Sequence, residues 1–274
     1  MHHKPALYRV CQALNRAPNR AAGRISYSTI SAAPASSAQY HQLPPILLVG
    51  LGNFTHPQTR HSVGMILLDR LLLSLKGAAQ PWRMDRSMGG WTTEIHLDST
   101  MPLVVSRLAT LAVPQKKRPK TQTDSIQSGL SNTISKIPDM PIPWRRTVIL
   151  LKPAALMNIS GLSVGRAMRH LKLKPIDIII VHDDIERKLG ALSAKAEGSA
   201  NGHNGIRSIL KSITSDKFLR LRVGVGRPED KSDVANYVLE PFTPAEQTLL
   251  FDNVTLLFEK ALLGAVSQSP MVTK

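Results

Sequence analysis

The sequence predicts an α/β fold, a single domain in which a mixed, mostly parallel sheet is sandwiched between helices. Three observations point to it. The stretches Ile46 to Val49, Thr147 to Leu151 and Ile176 to Val181 are almost wholly apolar, the pattern of strands covered on both faces. Apolar residues elsewhere recur at helical spacing, as at Met65, Leu68, Leu72 and Leu75. Each apolar stretch also ends in glycine or polar residues, the expected rim of a sheet, where open α/β folds put their sites.

In chain order, the first strand breaks into Gly50-Leu51-Gly52-Asn53, and a polar loop leads to Thr59-Arg60-His61 at the start of the first helix. Glycines there let backbone approach a ligand closely. Trp91 to His96 and Leu103 to Arg107 predict short strands, a hairpin or neighbours before the next parallel strand. The strand Thr147 to Leu151 leads through Lys152-Pro153 to Met157-Asn158-Ile159-Ser160-Gly161, with a helix from about Gly161 to Leu171. Ile176 to Val181 ends in His182-Asp183-Asp184. The glycine-rich loop from Glu197 to Gly205 opens a helix over Ile206 to Ile213. Phe218 to Val225 alternates apolar residues with Arg220 and Arg222, predicting a strand with one polar face. Pro244 to Ala265 predicts one long helix with Thr243 as its N-cap.

The chain of 274 residues suits one large domain or two small ones. Its net charge of +16 and pI near 10.3 favour a polyanionic partner, so a basic RNA-binding surface is expected. No Asp or Glu precedes Asp69, whereas Lys4, Arg9, Arg16, Arg20 and Arg24 accumulate among small and hydroxyl residues. That composition predicts a mitochondrial transit peptide over residues 1–42, the alternative being a basic tail on a cytoplasmic protein. The domain is then expected over residues 43–270. Within it, Pro114 to Pro143 is basic and then Thr-, Ser- and Pro-rich, with few large apolar side chains, the composition of a loop insertion that adds little to a core. No apolar run approaches the roughly 18 residues that cross a bilayer, so no membrane insertion is expected. Cys11 is the only cysteine and lies in the presequence, so neither disulfides nor thiolate metal sites are expected in the domain.

The candidate site comes from gathering strand ends. Asn53, Asn158 and Asp183 each follow a buried strand and Asn204 precedes a helix, so one rim could collect them with His61. A carboxylate beside an imidazole fixes its tautomer and stabilises the imidazolium, as a general base acting on water requires. Asparagine amides can donate to carbonyl oxygens or to an oxyanion. Gly161-Leu162-Ser163-Val164-Gly165 spells G-x-S-x-G but falls within the predicted helix and not at a strand-to-helix turn, which leaves water as the nucleophile. Other readings stand beside this one. Gly50-Leu51-Gly52 could open a dinucleotide fingerprint, but Thr55 occupies the third glycine position. His61 could be a capping or core histidine. A metallohydrolase using His182, Asp183, Asp184 and His203 would need three converging ligands, and no HExxH spacing exists.

Taken together, GLGN (Gly50 to Asn53), TRHSVG (Thr59 to Gly64), KPAALMNISG (Lys152 to Gly161), VHDD (Val181 to Asp184), GHNGIRSI (Gly202 to Ile209) and RLRVGVGRP (Arg220 to Pro228) resemble the bacterial-type peptidyl-tRNA hydrolase family, over roughly Ile46 to Leu263. The resemblance implies a monomeric esterase without metal or other cofactor, which frees tRNA from peptidyl-tRNA left by stalled or aborted translation. By motif match His61 is the catalytic base, Asp183 the carboxylate behind it, and Asn53 a residue that orients the substrate. Asn158 and Asn204 match amides that hold the peptide and the acceptor end, and Lys195 and Arg222 match basic residues for tRNA phosphate.

The chain departs from the family pattern at three places. The loop after GLGN is shorter, with His56 where a tyrosine is usual, and an imidazole can also stack on a base. Leu156 replaces a phenylalanine, and Ser199, Ala200 and Asn201 stand where more glycine and a histidine are usual. The presequence and basic insertion resemble what fungal mitochondrial members add. The alternative of another class is a non-catalytic RNA-binding or splicing subunit on the same fold.

Overall fold

The computed structural model describes residues 40–75, 80–100, 143–250 and 254–267. Seven strands form one sheet, in the order β2-β3-β4-β1-β5-β7-β6. They are β1 (His41–Gly50), β2 (Arg83–Asp85), β3 (Gly90–Asp98), β4 (Trp144–Pro153), β5 (Ile178–Asp184), β6 (Leu192–Lys195) and β7 (Leu219–Gly224). The four central strands, β4, β1, β5 and β7, run parallel, and the antiparallel pairings lie at the two edges. The helices are α1 (Val63–Ser74), α2 (Ser160–His170), α3 (Asn204–Ile213), α4 (Val234–Leu239), α5 (Pro244–Leu249) and α6 (Thr255–Val266).

Strand alternation sorts the core into two layers. Leu48, Leu150, Ile179, Val181 and Leu221 pack with α1 and α6 residues such as Leu68 and Phe258. Leu47, Val49, Leu151, Ile178 and Ile180 face the other way, onto Val164 and Ala167 of α2 and Ile206 and Ile209 of α3. Both faces of the central strands are therefore buried, which is why those segments are apolar throughout. The mixed sheet between helices is as expected, with its parallel part confined to the centre.

Several boundaries differ from the sequence reading. β1 begins at His41, two residues ahead of the boundary expected at 43; its exposed Pro44 and Pro45 interrupt the register with β4 between Leu43 and Ile46, since proline lacks the N–H for the ladder. β2 and β6 went unread because neither is long nor apolar enough to stand out. Thr243 caps α5 in a reciprocal capping box with Glu246, and α5 and α6 both lie within the helix expected over Pro244 to Ala265, residues 251–253 between them being outside the described residues. Arg220, expected on a polar face, is 2% exposed. β7 is interior, and the glycine-rich loop covers that face, with the Arg220 guanidinium donating to the carbonyls of Gly198 and Ser199. The strand expected at Leu103 to Arg107, the insertion up to residue 142 and the presequence up to residue 39 lie outside the described residues.

One close approach brings the site's elements together. Leu51 N donates to Val181 O at 2.9 Å, and Met65 N to Leu51 O at 3.2 Å, so the start of α1 lies against the ends of β1 and β5. A Cβ on Gly64 would collide with Val181 O and stand 2.6 Å from Leu51 N. Gly64→Ala is therefore expected to cost about 1–3 kcal/mol through overpacking against backbone, read as a lower urea midpoint with an unchanged m-value.

Candidate active site

His61 lies in the 3-10 turn Arg60–Ser62, which runs directly into α1. Asp183 lies near the end of β5, next to β1 in the sheet. The two meet because the loop after β1 folds back over that rim. Ser62 Oγ, wholly buried, accepts from Asn53 N at 2.9 Å and donates to His56 O at 2.8 Å. Thr59 Oγ1 donates to the same carbonyl at 2.9 Å. Two hydroxyls thus hold the loop to the turn that carries the histidine.

His61 Nδ1–H donates to both oxygens of Asp183, at 2.9 Å each. A carboxylate only accepts, so the proton is on Nδ1 and the lone pair on Nε2. Asp183 Oδ1 also accepts from His203 Nε2 at 2.9 Å. His203 is the N-cap of α3, its Nδ1 accepting from Ile206 N at 3.2 Å. His182 Nδ1 donates to the Asp183 carbonyl at 2.7 Å, and its ring lies edge-on to His203 with centroids 4.7 Å apart. One buried carboxylate therefore organises two imidazoles.

The electrostatics follow from that arrangement. Burial pushes the Asp183 carboxyl up, but His203 and His61, through charge and hydrogen bonds, outweigh it and hold Asp183 far below the usual carboxylate range. Burial likewise opposes the imidazolium at His61. The charge and hydrogen bonds of Asp183 outweigh it there too, so the His61 pKa lies above its ordinary value. His182 is driven well below the ordinary value, first by burial and then by His203. The same cavity is lined by all three histidines, and His61 is thus the one of them that combines a free lone pair with a supporting carboxylate.

That cavity holds about 440 Å³ and is bordered by His61, Asp183, Lys195, Asn204 and Arg222. Five of the expected site residues thus share one opening. Asn204 accepts from Arg207 on its amide oxygen at 2.9 Å, which leaves its amide nitrogen as a donor. The Lys195 ammonium is destabilised by partial burial and by neighbouring Arg220 and Arg222, so an incoming anion would relieve it. Arg222 is partly offset by Asp184, at 3.5 Å. Asp184 also caps the turn after β5, its Oδ1 accepting from Glu186 N at 3.0 Å.

Asn53, His56, Leu156 and Asn158 do not line this cavity. They lie on segments beyond the strand ends at Gly50 and Pro153, brought side by side where Phe54 N donates to Ala155 O at 3.5 Å. Asn53 Oδ1 accepts from Thr55 Oγ1 at 2.9 Å. His56 is exposed, with Nδ1 2.9 Å from Thr55 Oγ1. Leu156, 48% exposed, and Asn158 stand on the same outer flank, with Asn158 exposed in the turn Met157–Ile159. The rim predicted to gather every polar group is therefore two adjoining surfaces, a cationic cavity and an amide-bearing flank.

Sequence reasoning missed the second imidazole on Asp183, having treated His203 only as a metal-ligand candidate. The signal was present in its placement just before a helix and next to Asn204. It also missed α4, whose Val234, Ala235 and Val238 form an apolar wall of the cavity. Val234 and Val238 at i and i+4 were the available sign. His61, Asp183 and His203 each offer one potential ligand atom within 4.8 Å of the others, so three do converge. They include His61 and exclude His182 and Asp184 of the four considered. The Asp183-facing nitrogens of both histidines are engaged in the hydrogen bonds just described.

Comparison with known proteins agrees with this architecture. A family model described as peptidyl-tRNA hydrolase matches residues 104–271. A probable peptidyl-tRNA hydrolase of Mus musculus is 34% identical over 229 residues, 82% of this chain and 88% of that protein. A peptidyl-tRNA hydrolase of a Sulfurihydrogenibium species is 47% identical over 103 residues, which span 38% of this chain and only 54% of the relative. Among solved structures, an arginine-to-glutamine variant of peptidyl-tRNA hydrolase from Acinetobacter baumannii superposes with a TM-score of 0.56 at 26% identity, covering 85% of this chain and 95% of that one. With its fold, its motif order and most of its length matched in these ways, the chain belongs to the peptidyl-tRNA hydrolase family.

Proposed function

We propose that this protein hydrolyses the ester that joins a peptide to the terminal ribose of tRNA. The observation that carries the reading is the His61–Asp183 contact, in which Nδ1–H is spent on the carboxylate and Nε2 is left as the base. In the reaction Nε2 takes a proton from water while the water oxygen bonds to the ester carbonyl carbon. The carbon–oxygen bond to the ribose then breaks, and the imidazolium returns its proton to the departing ribose oxygen. The products are a peptide carboxylate and tRNA with a free terminal hydroxyl. The Asn204 amide nitrogen is suited to the substrate carbonyl or the developing oxyanion. Asn53 and Asn158, on the adjoining flank, are suited to the peptide amides, and exposed His56 and Leu156 to stacking and apolar contact.

The test is hydrolysis of an N-acetylated aminoacyl-tRNA by the purified chain in excess chelator. Release of free tRNA is expected at the full rate, because a base and not a Lewis acid activates the water. Loss of activity that added zinc restores, with the tRNA still folded, would instead make His61, Asp183 and His203 metal ligands. No release under any condition, with tRNA still bound, would leave the non-catalytic RNA-binding reading.

Lys195 and Arg222 border the cavity and are assigned here to phosphate. Lys195→Ala and Arg222→Ala are each expected to flatten the slope of log affinity against log salt by about 0.7–0.9. Deleting residues 114–143, with Lys116, Lys117, Arg118 and Lys120, should slow association at low salt and leave turnover at saturation unchanged. A slope that changes only on that deletion would move the RNA surface to the insertion. The same reading takes the protein as a monomer that recycles tRNA in mitochondria. The acid-free, Arg-rich composition of the first residues supports that location, and import of the full chain into isolated mitochondria tests it.

A further inference from the structure

Next to His61 in the chain stands a buried arginine that the reaction does not use. Arg60 is 4% exposed, and its guanidinium is held entirely by one distant segment. Nη2 donates to both oxygens of Glu246, at 3.2 and 3.0 Å. Nη1 donates to Glu240 Oε2 and Pro241 O, at 3.2 Å each, and to Tyr237 O at 3.4 Å. The guanidinium carbon lies 4.3 Å from the centre of the Tyr237 ring. The backbone repeats the attachment, with Arg60 N donating to Glu240 O at 3.0 Å and Thr59 pairing with Pro241.

The segment so gripped is the end of α4 and the start of α5. α4 supplies the apolar cavity wall of Val234, Ala235 and Val238, while the turn bearing Arg60 supplies His61 at the same cavity. Tyr237 is fixed from its other end too, its hydroxyl donating to Val225 O at 2.8 Å just past β7. Among the described residues, α4 is a short element whose own helical hydrogen bonds are few, so it is not rigid alone.

We propose that Arg60 is a positioning residue, which locks the His61 turn and the α4 wall into one unit and so fixes where the substrate ester sits relative to the base. The planar fork suits this task, because its donors serve two carboxylates and two carbonyls at once, which a lysine ammonium on a flexible stem cannot match. The proposal rests on His61 being the base. Its structural half, that Arg60 holds the His61–Asp183 contact, is independent of any activity.

The test compares Arg60→Met, Arg60→Lys and a Glu240→Gln/Glu246→Gln double variant with the wild type on an N-acetylated aminoacyl-tRNA, well below each melting temperature. Turnover at saturation is expected to fall by about 10²-fold in Arg60→Met, the scale of an ångström of misplacement, and by less in the other two, with KM changing far less than kcat. The downfield proton resonance of His61 Nδ1–H should move upfield in each variant as the contact with Asp183 loosens. Should Arg60→Met fail to fold, the glutamine double variant keeps similar side-chain shapes and one acceptor oxygen at each position and carries the test. A lower melting temperature with kcat and the His61 resonance unchanged would overturn the proposal, as would a change confined to KM. A wild type that hydrolyses nothing, with the resonance still moving upfield in the variants, would sink the esterase reading and leave the structural half of this one standing.

Discussion

His61→Ala is expected to lower kcat/KM on N-acetylated aminoacyl-tRNA by about 10²–10⁴-fold, the usual contribution of a positioned acid–base group. The fold should survive the change. Asp183 keeps its hydrogen bond from His203 at 2.9 Å, so the buried carboxylate still has a donor, and the truncation opens toward a cavity already present. tRNA affinity should stay close to the wild-type value, since Lys195 and Arg222 are untouched. Near-normal turnover in a correctly folded variant would remove His61 as the base.

The second large effect is expected of Asp183→Asn, a fall of about 10² or more in kcat/KM. Both His61 and His203 present N–H to the carboxylate. An amide puts an NH2 donor in place of one of the two oxygens that face His61 Nδ1–H at 2.9 Å, so that imidazole must turn or change tautomer. The pH profile gives this variant a signature beyond its rate. A base works only when deprotonated, so kcat/KM in the wild type should rise with pH through the His61 pKa, which lies above the ordinary imidazole value. With the Asp183 charge gone, the largest remaining influence is burial, which lowers that pKa, so the acid limb should shift to lower pH. Asp184→Asn should do far less, because Asp184 caps a turn and pairs with Arg222. A larger loss in Asp184→Asn, or an acid limb unmoved in Asp183→Asn, would reverse the assignment.

Much of this was legible before any coordinates, though unevenly. Ile46 to Val49, Thr147 to Leu151 and Ile176 to Val181 identified the central strands, because burial on both faces demands continuous apolar side chains. The helices α1, α2 and α3 were visible in their spacing, and the N-cap of α5 in Thr243. β2 and β6 were not. Edge strands this short carry too few residues to show a pattern and are defined by pairing to a neighbour. Arg220 was misread because an alternating arginine marks a polar face only if that face meets water, and here a loop covers it.

The same division runs through the site. The sequence by itself determined which residues could do the chemistry, since the strand ends named His61, Asp183 and the asparagines by type and motif. It also determined the fold class, because hydrophobic periodicity is a local property of the chain. Only the tertiary structure decided how those residues are grouped. It set His61, Asp183, Lys195, Asn204 and Arg222 around one cavity, left Asn53, His56, Leu156 and Asn158 on the flank beside it, added His203 to the carboxylate, and tied Arg60 to Glu246. Each of these is a contact between residues far apart in the chain. Hydrogen bonds of that kind depend on how loops fold back across the sheet rim, and no spacing within a single segment encodes that path.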